Sequence, residues 1–111
     1  MSTALRHRNP TIEEAFGSAQ VARILGVHPR TVQRRRTAGH KLSLLENQRQ
    51  EKLRRIWEEL LRIYRPENAE KWLKSAVPVL QDRRPMDVMA EDGGLDRVLE
   101  VVGRMSWGIP D

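Results

Sequence analysis

Arg30, Gln33, Arg34 and Thr37 sit at spacings of one, three and four, which puts them on one face of a helix. Arginine and glutamine carry the paired donors and acceptors that match guanine and adenine edges in the major groove. Thr31 belongs with this DNA-facing set. Arg35 and Arg36 fall nearer the flanks of the same helix, where phosphates are the natural partners. The chemistry these residues offer is therefore nucleic-acid recognition rather than bond making. The same reading excludes other chemistry. His7, His28 and His40 are widely spaced and the chain has no cysteine, so no metal site is expected. Glu91, Asp92 and Asp96 around Gly93-Gly94 do not follow a calcium-loop spacing. No activated serine or phosphate-cradling loop is present, so neither an enzyme nor a bound cofactor is expected.

A reading helix needs a partner that holds it. Gly17 to Thr37, GSAQVARILGVHPRTVQRRRT, has the layout of a helix-turn-helix. Ala22 is the small residue at the helix crossing, and Gly26 suits the left-handed turn four residues on. Val21 and Leu25 line the buried side of the first helix. Val27 and Val32 anchor the second from within, and Pro29 presets its first turn. Arg35 falls where such motifs usually place an apolar anchor. Residues 1–10 are a polar, basic arm. Thr11 with Glu14 reads as a capping box opening a short helix with Ala15 and Phe16.

Ser43 and Glu46 form a second capping box. It opens the longest helix, about 22 residues and roughly 33 Å. Leu53, Ile56, Trp57, Leu60, Leu61 and Tyr64 recur at spacings of three and four along it. Glu58-Arg62 and Glu59-Ile63 mark how the other face turns polar. Pro66 stops this helix and starts the next, whose inner face is Ala69, Trp72, Leu73 and Ala76 and whose end is set by Pro78. Pro85 starts a short turn of helix carrying Met86, Val88 and Met89. Gly93-Gly94 is a hinge or turn. A last amphipathic helix, Leu95 to Met105, turns Leu95, Val98, Leu99, Val102 and Met105 inward. No period-2 pattern occurs, so the expected fold class is all-α. The organisation reads as an arm (1–10), a helix-turn-helix (11–40), a long connecting or dimerisation helix (41–65) and a C-terminal domain (66–111).

Of 111 residues, 20 are basic and 15 acidic, a net of +5, and the charge is divided unevenly. Residues 1–65 hold 14 Lys+Arg and 6 Asp+Glu, a net of +8; residues 66–111 hold 6 and 9, a net of −3. A basic half facing a polyanion and a mildly acidic half with a different partner account for this division. The absence of cysteine, of a membrane-length apolar run and of a signal-peptide core points to the cytoplasm. The tail Ser106-Trp-Gly-Ile-Pro-Asp111 cannot continue the last helix. Its Trp107 either folds back on that helix or anchors in a partner's pocket.

The series Ala69, Trp72-Leu73, Pro78, Leu80, Pro85-Met-Asp-Val-Met89, Gly93, Val98-Leu99 and Gly108 resembles the toxin-binding domain of the Xre/MbcA/ParS antitoxin family. With the SWGIPD tail and the helix-turn-helix, the likeness covers about residues 17–111 and is greatest to the MbcA members. The resemblance implies an antitoxin whose partner is a RES-domain toxin that degrades NAD. It implies that the C-terminal end blocks the toxin's NAD pocket, which assigns Arg104, Ser106, Trp107, Gly108, Ile109, Pro110 and Asp111 to toxin binding. It further implies binding to the promoter of its own operon. Half-site reading makes a homodimer the expected unit, within a toxin-antitoxin hetero-oligomer. The alternative is a stand-alone helix-turn-helix transcriptional regulator.

Overall fold

The computed structural model describes residues 10–26 and 43–108. The expectations for the basic arm, for Val27, Pro29 and Val32, for the DNA-facing set with Arg35, and for Ile109, Pro110 and Asp111 lie outside the described residues. Within them the chain is helical: α1 (Ile12–Phe16), α2 (Ser18–Leu25), α3 (Leu44–Ile63), α4 (Pro66–Leu73), a 3-10 turn (Pro78–Leu80), α5 (Pro85–Met89) and α6 (Gly94–Ser106). No strand occurs among the described residues; one isolated antiparallel bridge joins Val77 and Arg83.

Local chemistry sets most of the starts. The Thr11 hydroxyl accepts from Glu14 N at 3.2 Å while Glu14 Oε1 accepts from Thr11 N at 2.7 Å. Ser43 and Glu46 repeat the arrangement at 3.2 and 2.9 Å. Each box satisfies two N-terminal donors that the helix itself cannot. Pro66 and Pro85 stand at the first turns of α4 and α5, where a missing N–H costs nothing.

Burial then arranges the helices. Leu53, Ile56 and Leu60 are fully buried, and Trp57 is nearly so. At about 1.5–3 kcal/mol for each large apolar side chain removed from water, this stripe outweighs any cap on the helix, which contributes ~1 kcal/mol. α3 packs most extensively against α6, which turns in Leu95, Val98, Val101 and Val102. Leu61, Tyr64, Leu99 and Met105, expected inside, are half-buried edges of this core, and Val101 is an inward residue the spacing did not single out. Ala15, Phe16, Val21, Ala22, Ile24 and Leu25 belong to the same cluster as the C-terminal residues.

Three side-chain bonds to backbone carbonyls fasten the N-terminal helices to this core. Trp57 Nε1 donates to Pro10 O at 3.0 Å, and its ring meets Phe16 edge-on at 5.7 Å. Gln20 Nε2 donates to Met86 O at 3.0 Å. Arg49 Nη1 donates to Leu25 O at 3.1 Å, satisfying a carbonyl in the last turn of α2.

The end of α4 departs from expectation. It stops at Leu73, well before Pro78, and Ala76 is exposed. The cause lies downstream. Pro78 disfavours a helical Val77, and Val77 N donates to Arg83 O at 3.1 Å in an extended conformation. The chain must leave the helix early to reach that bridge. The turn closing it holds two non-glycine residues at positive φ, Gln81 (60°) and Asp82 (61°).

Gly93-Gly94 is more constrained than a hinge. Gly93 is left-handed at φ 73°, and a Cβ on Gly94 would lie 1.6 Å from Val88 O and 2.6 Å from Val88 C. The backbone of α5 rests on the first residue of α6, and only glycine leaves room. Gly94→Ala is expected to lower stability by about 1–3 kcal/mol or more, the usual range for overpacking, measurable by denaturant unfolding.

Candidate functional site

Two regions carry the sequence-derived site residues. At the N-terminal one, α2 buries Val21, Ala22 and Leu25 as expected. Gly26 is left-handed (φ 79°, ψ 28°), and its N–H bonds to Ala22 O and Arg23 O. A Cβ there would meet Arg49 Nη1 at 2.6 Å. The helix and the left-handed glycine expected over residues 18–26 are both present. Arg30, Thr31, Gln33, Arg34, Arg36 and Thr37 lie outside the described residues.

Near Gly26 is a cleft of about 260 Å³ where α2, α3 and the α5–α6 turn meet. Arg23, Arg49 and Lys52 face Glu91, Asp92 and Asp96 across it. The charges answer one another: Lys52 Nζ lies 2.7 Å from Asp96 Oδ1. No group of three metal-ligating side chains forms among the described residues, and no described helix is long and apolar enough to cross a membrane.

The second region is the end of α6. Trp107 N bonds to Gly103 O and Gly108 N to Met105 O, both at 3.1 Å, and Gly108 is left-handed at φ 73°. The terminating glycine turns the chain off the helix axis. Arg104, Ser106, Trp107 and Gly108 are gathered at this end. Arg104 is exposed and 4.0 Å from Glu100, and Ser106 is half-buried. Trp107 does not fold back on the helix: it is 77% exposed. An indole contributing almost nothing to the core is available to another surface.

The sequence put Ile63 on the outer face, where it is, but did not single out two further exposed apolar side chains, Leu44 and Leu45. It also placed Glu59 on the polar face, whereas its side chain is largely buried (22% exposed). Periodicity separates an inner from an outer face, but it cannot say how far a neighbouring helix covers the border between them.

Guanidiniums brace the loop between the 3-10 turn and α6. Arg84 binds Asp87 through Nε at 2.8 Å and Nη2 at 3.1 Å, and Arg83 Nη1 binds Glu91 Oε1 at 2.8 Å. These bonds hold Asp87 and Glu91 below the usual carboxylate range and raise both arginines.

The family model for the Xre/MbcA/ParS antitoxin C-terminal toxin-binding domain matches residues 51–108. The chain belongs to this antitoxin family. A chain from the crystal structure of the M. tuberculosis MbcT-MbcA toxin-antitoxin complex is similar throughout, with a TM-score of 0.68 and 29% sequence identity. The likeness covers 90% of this antitoxin-family chain and 91% of that chain. No curated protein matches.

Two outcomes follow from this geometry. Trp107→Ala should leave the thermal midpoint of the free protein within about 2–4 °C, because a surface side chain outside the core changes stability by no more than about 0.5 kcal/mol. Asp87 and Glu91 have lowered pKa values in the folded state. Their contribution is complete above the ordinary carboxylate values and is lost as pH falls through the lowered ones, below about pH 4. Asp87→Asn with Glu91→Gln should therefore flatten the acid limb of a plot of thermal midpoint against pH and leave its neutral shape alone.

Proposed function

We propose that this antitoxin neutralises a RES-domain, NAD-degrading toxin by inserting its C-terminal end into the toxin's active-site entrance. The observation that carries the reading is Trp107, the most exposed large hydrophobic side chain among the described residues, at the tip of α6 inside the matched toxin-binding domain. A large aromatic entering a pocket can dominate the energy of an interface. Arg104, Ser106, Trp107 and Gly108 form the described part of the plug, and Ile109, Pro110 and Asp111 extend it. The matched complex of a toxin with its antitoxin supports the assignment of partner class. The protein acts by occlusion and performs no catalysis.

A second activity accompanies it. The helix-turn-helix reads the promoter of the antitoxin's own operon in the cytoplasm, through Arg30, Thr31, Gln33, Arg34, Arg36 and Thr37, as a homodimer. The left-handed Gly26 and the net +8 of residues 1–65 support this reading.

Removing residues 107–111 tests the plug. Co-purified with the RES-domain toxin it pairs with, the intact chain should give no NAD consumption. The truncated chain should restore it while keeping its thermal midpoint. Full inhibition by the truncated chain would sink the mechanism. Arg30→Ala with Arg34→Ala should abolish promoter binding and leave toxin inhibition intact, as read by a salt titration of DNA binding alongside the NAD assay.

A further inference from the structure

α4 has two stripes. Ala69 and Leu73 are buried in the core. Asn68 and Trp72, one residue before each, line an open groove of about 410 Å³ together with Lys71. Tyr64, at the end of α3, forms another part of the lining. The early end of α4 shapes the rest: Ser75, Ala76 and Val77 lie beyond the helix, and all three line the groove, as does Pro78. Tyr64 and Trp72 are half-buried, packed on the core while also lining the groove. Their hydroxyl and indole N–H make no hydrogen bond among the described residues. Aromatic side chains with an apolar body and a free polar end are the kind that interfaces favour.

Charge decides which partner group fits. In the cleft beside Gly26, three cations face three carboxylates. The α4 groove has a single charged lining residue, Lys71, and no carboxylate. Lys71 is exposed and has no ion pair among the described residues; its neighbour Glu70 pairs with Lys74 instead, Oε1 to Nζ at 4.0 Å. An unanswered ammonium beside the Asn68 amide and the Trp72 N–H suits an anion. The net −3 of residues 66–111 disfavours nucleic acid as its source and leaves a protein carboxylate. Every lining residue falls within residues 51–108, the matched toxin-binding domain.

We propose that this groove is a second toxin contact: an aspartate or glutamate of the toxin pairs with Lys71, and an apolar residue beside it packs against Tyr64 and Trp72. The proposal rests on the antitoxin reading above and names the chemistry of the partner group. The two contacts divide the work. The groove holds the toxin, and the tail, kept near the active-site entrance at high effective concentration, blocks it.

Lys71→Glu reverses the charge, and Ala76→Trp fills the groove. Both residues are exposed, so each free variant should keep its thermal midpoint within about 4 °C. Titrated against the RES-domain toxin, Lys71→Glu should weaken binding about 10-fold at low salt and less at high salt. Ala76→Trp should weaken it at least as much, at every salt concentration. The chain lacking residues 107–111 should still bind the toxin while releasing NAD consumption, and should lose that binding when Lys71→Glu is added. Undiminished affinity for both point variants, with the truncation still releasing NAD consumption, would overturn the groove and leave the plug standing. Absence of any complex with the intact chain would overturn both. Weakening by Lys71→Glu that salt does not diminish would overturn the ionic assignment. A change in the free chain's oligomeric state or in promoter binding, with toxin affinity unchanged, would overturn the toxin assignment in favour of a second copy or DNA.

Discussion

The buried stripe of α3 is the constraint on which the structure depends. Leu53, Ile56, Trp57 and Leu60 are covered by α6 on one side and by the N-terminal helices on the other. A 20-residue helix of this composition, rich in charge along its outer face, would be marginal in water by itself. Tertiary burial makes it stable, and in turn it positions everything that could touch a partner. Losing one of these side chains would open a cavity beneath both ends of the molecule. Leu60→Ala belongs to a class of change that typically costs 2–5 kcal/mol.

That sharing alters how the chain divides. The sequence invites a partition at Arg65-Pro66, where charge and helix both break. Packing joins what the partition separates: Gln20 holds the Met86 carbonyl, Lys52 pairs with Asp96, and α3 packs extensively on α6. The matched family domain starts within α3, so its first helix carries part of the N-terminal core on its other face. Forces applied at α1 or α2 reach the toxin-binding part through hydrogen bonds and close contacts.

Much of this was legible in the residues. Both capping boxes, the α3 stripe, the proline starts and the left-handed Gly26 were each announced by local chemistry, which needs only near neighbours. What the sequence concealed depended on distant ones. The early end of α4 comes from a bridge to Arg83. The need for Gly94 comes from the carbonyl of Val88, six residues earlier in sequence but in direct contact. Glu59 reads as a surface residue by its type, yet its side chain is only 22% exposed. At the α6 end, composition allowed Trp107 to lie inward or outward, and only packing decides.

Trp107 stands outside the core while being covalently continuous with a helix that lines it. A residue with no share in folding is free of the selection that folding imposes. The tip of α6 can therefore change in evolution at the pace of whatever surface it meets, while the turns behind it stay fixed by Val98, Val101 and Val102. On the proposed plug, partner specificity and thermodynamic stability occupy successive turns of one helix, and they can be inherited, lost or re-engineered independently.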